Sequence, residues 1–279
     1  MSIKSKVFAA SAALTVVGTV GATGLLTQAA SAATPSCGNN CATVFSRTFG
    51  THSDPTFVFD VWRQANKVGQ PVILYRQSQY DPAEDFVIAN QGTVSDFYEA
   101  GLVSPALVLH YGGGCKTLDG CATSAFNTFP DDYAFEIEYA PYGVQSGLCA
   151  GVASVARDKT PISLQPCGVS SKTVWVSDTS KAVDCVRGFG VSKGYAPLIN
   201  GSDTNFSHPY VMTYPLNGYP TDKPRPQLFT ETLTGFTEPG GIDPFDQPST
   251  VNENQLWGVD GGALTGPAPG CRVDDDNVS

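Results

Sequence analysis

Apolar and polar positions alternate along this chain in short runs, separated by clusters of Gly, Pro, Asn and Asp. A period of two marks strands, because successive side chains leave a strand on opposite faces. Phe57, Phe59 and Val61 share one face of a run whose other face carries Val58, Asp60 and Trp62, so Asp60 is the polar exception on its side. In the next run Val72 and Leu74 alternate with Ile73 and Tyr75. In YAFEIEYAPYG, Phe135, Ile137 and Tyr139 predict a buried face, and Glu136 and Glu138 the solvated outer face of an antiparallel strand. Val94 to Ala100 is the one stretch that predicts a helical turn; after Pro105, ALVLHY reads as another strand. Gly112 to Gly114 reads as a turn, since no Lys-Ser/Thr follows as a phosphate loop requires. The Pro-rich pieces late in the chain, TEPGGIDPFDQPSTVNEN among them, belong in long surface loops. The fold class these runs predict is all-β.

Residues 1–32 break the pattern. Lys4 and Lys6 precede an Ala-, Gly- and Val-rich run that ends in Ala30-Ser31-Ala32, the layout of a secretory signal peptide. Its many small residues favour cleavage over retention as a membrane anchor. The mature chain is therefore expected to be a secreted, extracellular single domain over residues 33–279 with no membrane span. The net charge of −10 becomes more negative without Lys4 and Lys6. That argues against nucleic acid or anionic lipid as a partner and is easier to reconcile with a neutral ligand. Asp274 to Asp276 lack the alternating spacing and distal Glu of a calcium loop, and read as an acidic tail.

All eight cysteines, Cys37, Cys41, Cys115, Cys121, Cys149, Cys167, Cys185 and Cys271, follow the expected cleavage site. An even count in an exported chain points to disulfides. Cys37 with Cys41, Cys115 with Cys121, and Cys149 with Cys167 are the local choices, leaving Cys185 and Cys271 to tie the late chain together. With no CxxC pair, the sequence points to no metal site, and nothing in it calls for a cofactor.

Three stretches share one order: an apolar run, a turn, a second apolar run and a closing aromatic. They are FVFDV, VILYRQ and EDF (57–86); GLCAGV, ISLQPC and TVW (147–175); and YVMTYP, QLFTETL and NQLW (210–257). Cys149, Leu164, Cys167 and Trp175, with Asn254-Gln255-Leu256-Trp257, make the chain resemble the ricin-type β-trefoil lectins over about residues 42–262. The resemblance implies a disulfide-stapled β-trefoil of three degenerate hairpin repeats with long loop insertions, whose closing aromatics fill a core on a pseudo-threefold axis. It also implies a sugar pocket in each intact repeat: an Asp from the first run, an aromatic platform from the second, and an Asn before the closing Gln-x-Trp.

Carried onto this chain, the first repeat keeps Asp60 and Tyr75 but has Ala83 where the Asn belongs. The second has Gly151, Gln165 and Gly168 at its pocket positions, so the resemblance leaves it a scaffold role. The third has Thr213 for the Asp, Phe229 as platform, and Asn254 and Gln255 intact. The expected function is non-covalent carbohydrate or glycan binding through Asp60, Tyr75, Phe229, Asn254 and Gln255. Two other readings stay open. Glu136 and Glu138 lie about 7 Å apart along a strand, within the span an inverting glycoside hydrolase uses; or the protein is a structural extracellular one with no sugar site. No Gly-x-Ser-x-Gly or His-Glu-x-x-His occurs. Asn200 and Asn205 sit in glycosylation-type sequons.

Overall fold

The computed structural model describes residues 41–51, 54–78, 81–112, 132–178, 181–188, 191–215, 225–234 and 251–261. The expected leader, Cys37, Cys115, Cys121, Cys271 and the Asp274–Asp276 tail lie outside these residues, as does the side chain of Cys185.

The strands run β1 (Ala42–Ser46), β2 (Gly50–Thr51), β3 (Asp54–Pro55), β4 (Phe57–Val61), β5 (Val72–Arg76), β6 (Phe86–Thr93), β7 (Tyr133–Tyr139), β8 (Leu148–Val152), β9 (Thr160–Pro166), β10 (Val174–Ser177), β11 (Val183–Gly188), β12 (Val191–Tyr195), β13 (Leu198–Asn200), β14 (Tyr210–Thr213), β15 (Phe229–Thr232) and β16 (Trp257–Gly261). Among the described residues twelve of these form one sheet, and β2–β3 and β11–β12 are separate ribbons. The twelve divide into three groups of four. In each, the middle two strands form an antiparallel hairpin: β4 with β5, β8 with β9, β14 with β15. The outer strands close a ring: β1 pairs β6, β6 pairs β7, β7 pairs β10, β10 pairs β13, and β16 pairs β1. The last gap is bridged where Ala196 and Trp257 exchange backbone hydrogen bonds. The hairpins meet one another through Pro71 with Ser163, Ile73 with Gln227, and Phe229 with Pro161. A ring of strands capped by three mutually bridged hairpins is a β-trefoil-like architecture.

The core explains why the repeats end in aromatics. Phe86, Trp175 and Trp257 are all buried at the start of the fourth strand of their groups. The Trp175 indole donates to the Ala150 carbonyl and the Trp257 indole to the Met212 carbonyl, both at 2.8 Å. Ala150 and Met212 are the third residues of β8 and β14, so the two bonds are equivalent. The third residue of β4 is Phe59, and there Phe86, which has no donor, packs edge-on against it at 5.7 Å. Phe59 also meets Trp257 edge-on at 5.6 Å, which joins two repeats across the core. A disulfide, Cys149–Cys167, with Cα atoms 5.1 Å apart, ties the start of β8 to the end of β9. Cys41 is also disulfide-bonded.

Two short helices lie between β6 and β7: the first falls on the stretch expected to make a helical turn, and the second corrects the expectation of a strand. α1 (Val94–Glu99) opens on a Thr93 and Asp96 capping box. α2 (Pro105–Tyr111) covers the segment expected to be a strand. Ser104 caps it, accepting from the Leu107 N–H at 3.2 Å, and Pro105 sits in the first turn, where its missing N–H costs nothing. Leu107, Val108 and Tyr111 then fall on one helical face and bury in a cluster with Val174, Val176 and Ile199. Six apolar-rich residues satisfied either period; the cap decided. No helix among the described residues is long and apolar enough to cross a membrane.

Candidate functional site

The fourth residue of each repeat's second strand is Asp60, Gly151 or Thr213. Each repeat also has a 3-10 turn before its closing aromatic: Pro82–Glu84, Ser171–Thr173 and Glu253–Gln255. Their last residues, Glu84, Thr173 and Gln255, are therefore equivalent.

In the third repeat these groups are spent on the fold. The Gln255 amide donates to the Thr213 hydroxyl at 3.3 Å and to the Thr232 carbonyl at 3.0 Å, and its oxygen accepts from the Thr234 N–H and hydroxyl. Asn254 donates to the Tyr214 carbonyl at 2.7 Å, while its Oδ1 is buried with no hydrogen-bond partner among the described residues. Both are buried. Phe229 is half-buried and lies opposite Thr213 in the β14–β15 register. The structure thus brings Thr213, Phe229, Asn254 and Gln255 together, with the two amides turned inward.

In the second repeat the site is closed by backbone. A side chain at Gly151 would place its Cβ 2.6 Å from the Lys172 carbonyl oxygen. Thr173 donates to Glu136 at 2.5 Å, and Glu136 also accepts from Gly168 N–H at 2.9 Å and Asn90 Nδ2 at 2.5 Å. The expectation of a solvated outer face is corrected here: Glu136 is fully buried and Glu138 is 5% exposed. Glu138 accepts from the Gly147 N–H at 2.7 Å and the Gln145 amide at 2.9 Å. Charge-assisted bonds from several donors repay the burial of a carboxylate. The same alternation that predicted an outer face placed these side chains against turns of their own repeat, at residues 145–147 and 168–173.

The first repeat differs. Asp60 is 4% exposed, and among the described residues no hydrogen bond reaches its carboxylate. Its oxygen lies within 4.8 Å of carboxylate oxygens of Asp81 and Glu84, the latter two half-buried. Burial, then the Asp81 charge, pushes the Asp60 pKa up to about 7, with Arg225 pulling it down. Burial likewise raises Glu84 to about 8, the Ser78 N–H bond opposing and Asp81, Asp60 and Asp85 adding to the rise. Among the described residues Glu84 Oε1 and the Tyr139 hydroxyl are buried without partners, and the Asp60 charge acts on Tyr139 more than any other. A cavity of about 130 Å³ adjoins the cluster, lined in part by Gln77, Ser78, Asp81, Glu84 and Asp85.

Two aromatics flank this acidic group, and a cation sits between them. The Arg225 guanidinium carbon lies 3.5 Å from the Tyr75 ring centroid and 5.6 Å from that of Trp62. Strand register places it there: Gln227 bridges Ile73 antiparallel, which sets Arg225 opposite Tyr75 two residues on in each strand. After Trp62, Arg63 and Gln64 adopt left-handed φ values of 60° and 54°, a conformation that costs non-glycine residues about 1–2 kcal/mol. Gln64 then donates to Asp81 at 2.8 Å.

Of the sequence-predicted residues, the structure brings Asp60 and Tyr75 to one site and sets Phe229, Asn254 and Gln255 in another repeat. Sequence reasoning missed Asp81, Glu84, Trp62 and Arg225. A signal existed for Glu84, since Glu84-Asp85-Phe86 stands where the third repeat reads Gln255-Leu256-Trp257. None existed for Arg225, which arrives from a different repeat.

No known family profile matches the chain, and no curated protein does. Among solved structures it is similar to a designed three-fold symmetric protein, ThreeFoil, at 12% identity and a TM-score of 0.43, over 79% of this chain and 97% of that one. It is also similar to a mosquitocidal holotoxin at 10% identity and a TM-score of 0.39, over 79% of this chain and 17% of the toxin chain. At scores this low the fold rests on the strand pairings described above.

Proposed function

We propose that the protein is an exported, lectin-like module that binds a carbohydrate non-covalently at its first repeat. The observation that carries this reading is the Asp60 carboxylate, buried and without a hydrogen-bond donor among the described residues, in a repeat that also presents the Trp62 and Tyr75 rings. A sugar suits such a site because its hydroxyls donate to carboxylates while a ring face stacks on an aromatic. The acidic side chains of the second repeat accept several hydrogen bonds each; in the first, Asp81 and Glu84 accept from Gln64, Ala83 and Ser78, and among the described residues Asp60 accepts none. Export rests on the Lys4 to Ala32 leader and the cysteine count. Glycan-array binding by the full chain that is lost in Asp60→Ala and kept in Asn254→Ser supports the reading; a folded chain that binds no glycan overturns it and leaves a structural extracellular protein.

A further inference from the structure

Resting on that carbohydrate reading, we propose that the first-repeat site selects a cationic saccharide, a hexosamine unit carrying a protonated free amine, whose ammonium takes the seat that Arg225 occupies between Trp62 and Tyr75. Three observations converge. The Asp60, Asp81 and Glu84 oxygens lie within 4.8 Å of one another, so their ionisation is opposed by one another and favoured by any positive charge placed beside them. The fully buried Tyr139 carries a hydroxyl with no partner among the described residues, and the carboxylates of Asp60, Asp85 and Asp81 act on it; a polar orphan beside the cluster is a group that a ligand entering there would satisfy. The chain already demonstrates the complement: its own guanidinium lies 3.5 Å from the Tyr75 centroid and within cation–π reach of Trp62 at 5.6 Å.

The Arg225 backbone is anchored through its neighbours. Gln227 donates to the Ile162 carbonyl at 2.7 Å, and Leu228 N–H donates to the Val72 carbonyl at 3.0 Å. The backbone is fixed two residues away, while the half-exposed guanidinium stacks on the rings and acts through space on Asp60, so a ligand ammonium that brings the same charge can displace the side chain without unpairing the strands. A neutral sugar would meet the same hydroxyl acceptors but leave the acidic cluster without a cation if it displaced Arg225.

The test is calorimetric titration of the full chain with a glucosamine oligomer and with its N-acetylated counterpart of equal length, near neutral pH. The amine form is expected to bind about tenfold tighter or more, the range of a desolvated cation–π contact. Arg225→Ala, which empties the seat, is expected to strengthen amine binding. Asp60→Thr with Glu84→Gln should abolish the preference, and it copies the Thr213 and Gln255 pair of the third repeat, so its folding is protected. Equal affinity for the two oligomers, or a preference for the acetylated one, overturns cation selection and leaves the carbohydrate reading standing. Failure of a folded chain to bind any saccharide overturns the carbohydrate reading itself. Asp60-dependent binding of calcium alone, without amine selectivity, overturns the cationic-saccharide assignment.

Discussion

Glu84 faces Asp60 in the first repeat at the position where Gln255 faces Thr213 in the third. One pair is a neutral amide and hydroxyl joined by a hydrogen bond; the other is two carboxyl groups with a third, Asp81, beside them. A structural contact in one repeat has become a charged, poorly satisfied cluster in another.

That pairing makes stability depend on pH. Folding raises the pKa of Asp60 from 3.8 to about 7 and that of Glu84 from 4.5 to about 8. A folded state that holds protons the unfolded chain has lost is favoured below the unfolded values, and the advantage is lost as pH rises through the folded ones. Melting temperature is therefore expected to fall between about pH 4 and pH 8 through these groups. Thermal melts across that range should show a flatter profile in Asp60→Thr with Glu84→Gln; an unchanged slope sinks this account.

Restoring the missing Asp of the second repeat should fail. Gly151→Asp places a Cβ 2.6 Å from the Lys172 carbonyl oxygen and a carboxylate in a buried site, for an expected loss of about 1–3 kcal/mol from overpacking alone. Denaturant unfolding measures it, and no gain in glycan binding should accompany it.

Glu136→Ala is expected to cost about 3 kcal/mol or more, since it strips the Thr173, Asn90 and Gly168 donors of their shared acceptor. Saccharide affinity at the first repeat, read by calorimetry on the folded fraction, should stay near the parent value. A variant of unaltered stability would contradict the structural role of this carboxylate.

Replacing Cys149 and Cys167 by Ser opens a link between residues 18 apart in sequence and should lower stability by about 2–4 kcal/mol. The loss should appear in the denaturant midpoint of the oxidised parent against the variant.

The sequon at Asn200 shows how burial overrides a motif. Its side chain donates to the Lys172 carbonyl at 3.0 Å and accepts from Ser202, and the residue is fully buried. A glycan cannot be attached to this folded Asn200. Mass spectrometry of protein from a glycosylating host should find Asn200 bare.

Much of the scaffold was legible in the chain because its causes are local. Alternation placed β4, β5 and β7, and the recurrence of run, turn, run and aromatic marked the second, third and fourth strands of each repeat, ending at Phe86, Trp175 and Trp257. The Cys149 to Cys167 pairing was one of the local choices and is the one that the trefoil resemblance implies. Asp60 and Tyr75 were named from the first-repeat pattern. What stayed hidden depends on contacts between distant segments. ALVLHY could satisfy a strand or a helix until Ser104 capped it. Glu136 and Glu138 looked solvated because alternation tells which face a side chain takes and says nothing of what the next turn lays against that face.

The sequence by itself determined the β character, the threefold recurrence and the aromatic core, since each arises from spacing within a few residues. Only the tertiary structure decided which repeats have their pocket positions taken up by the fold. Closure of the second repeat comes from a backbone oxygen approaching Gly151, and commitment of the third from Gln255 reaching across to Thr213. The seating of Arg225 over Tyr75 comes from a strand register between two repeats. Each is a through-space contact between residues far apart in the chain, so no local pattern of apolar and polar positions could encode it.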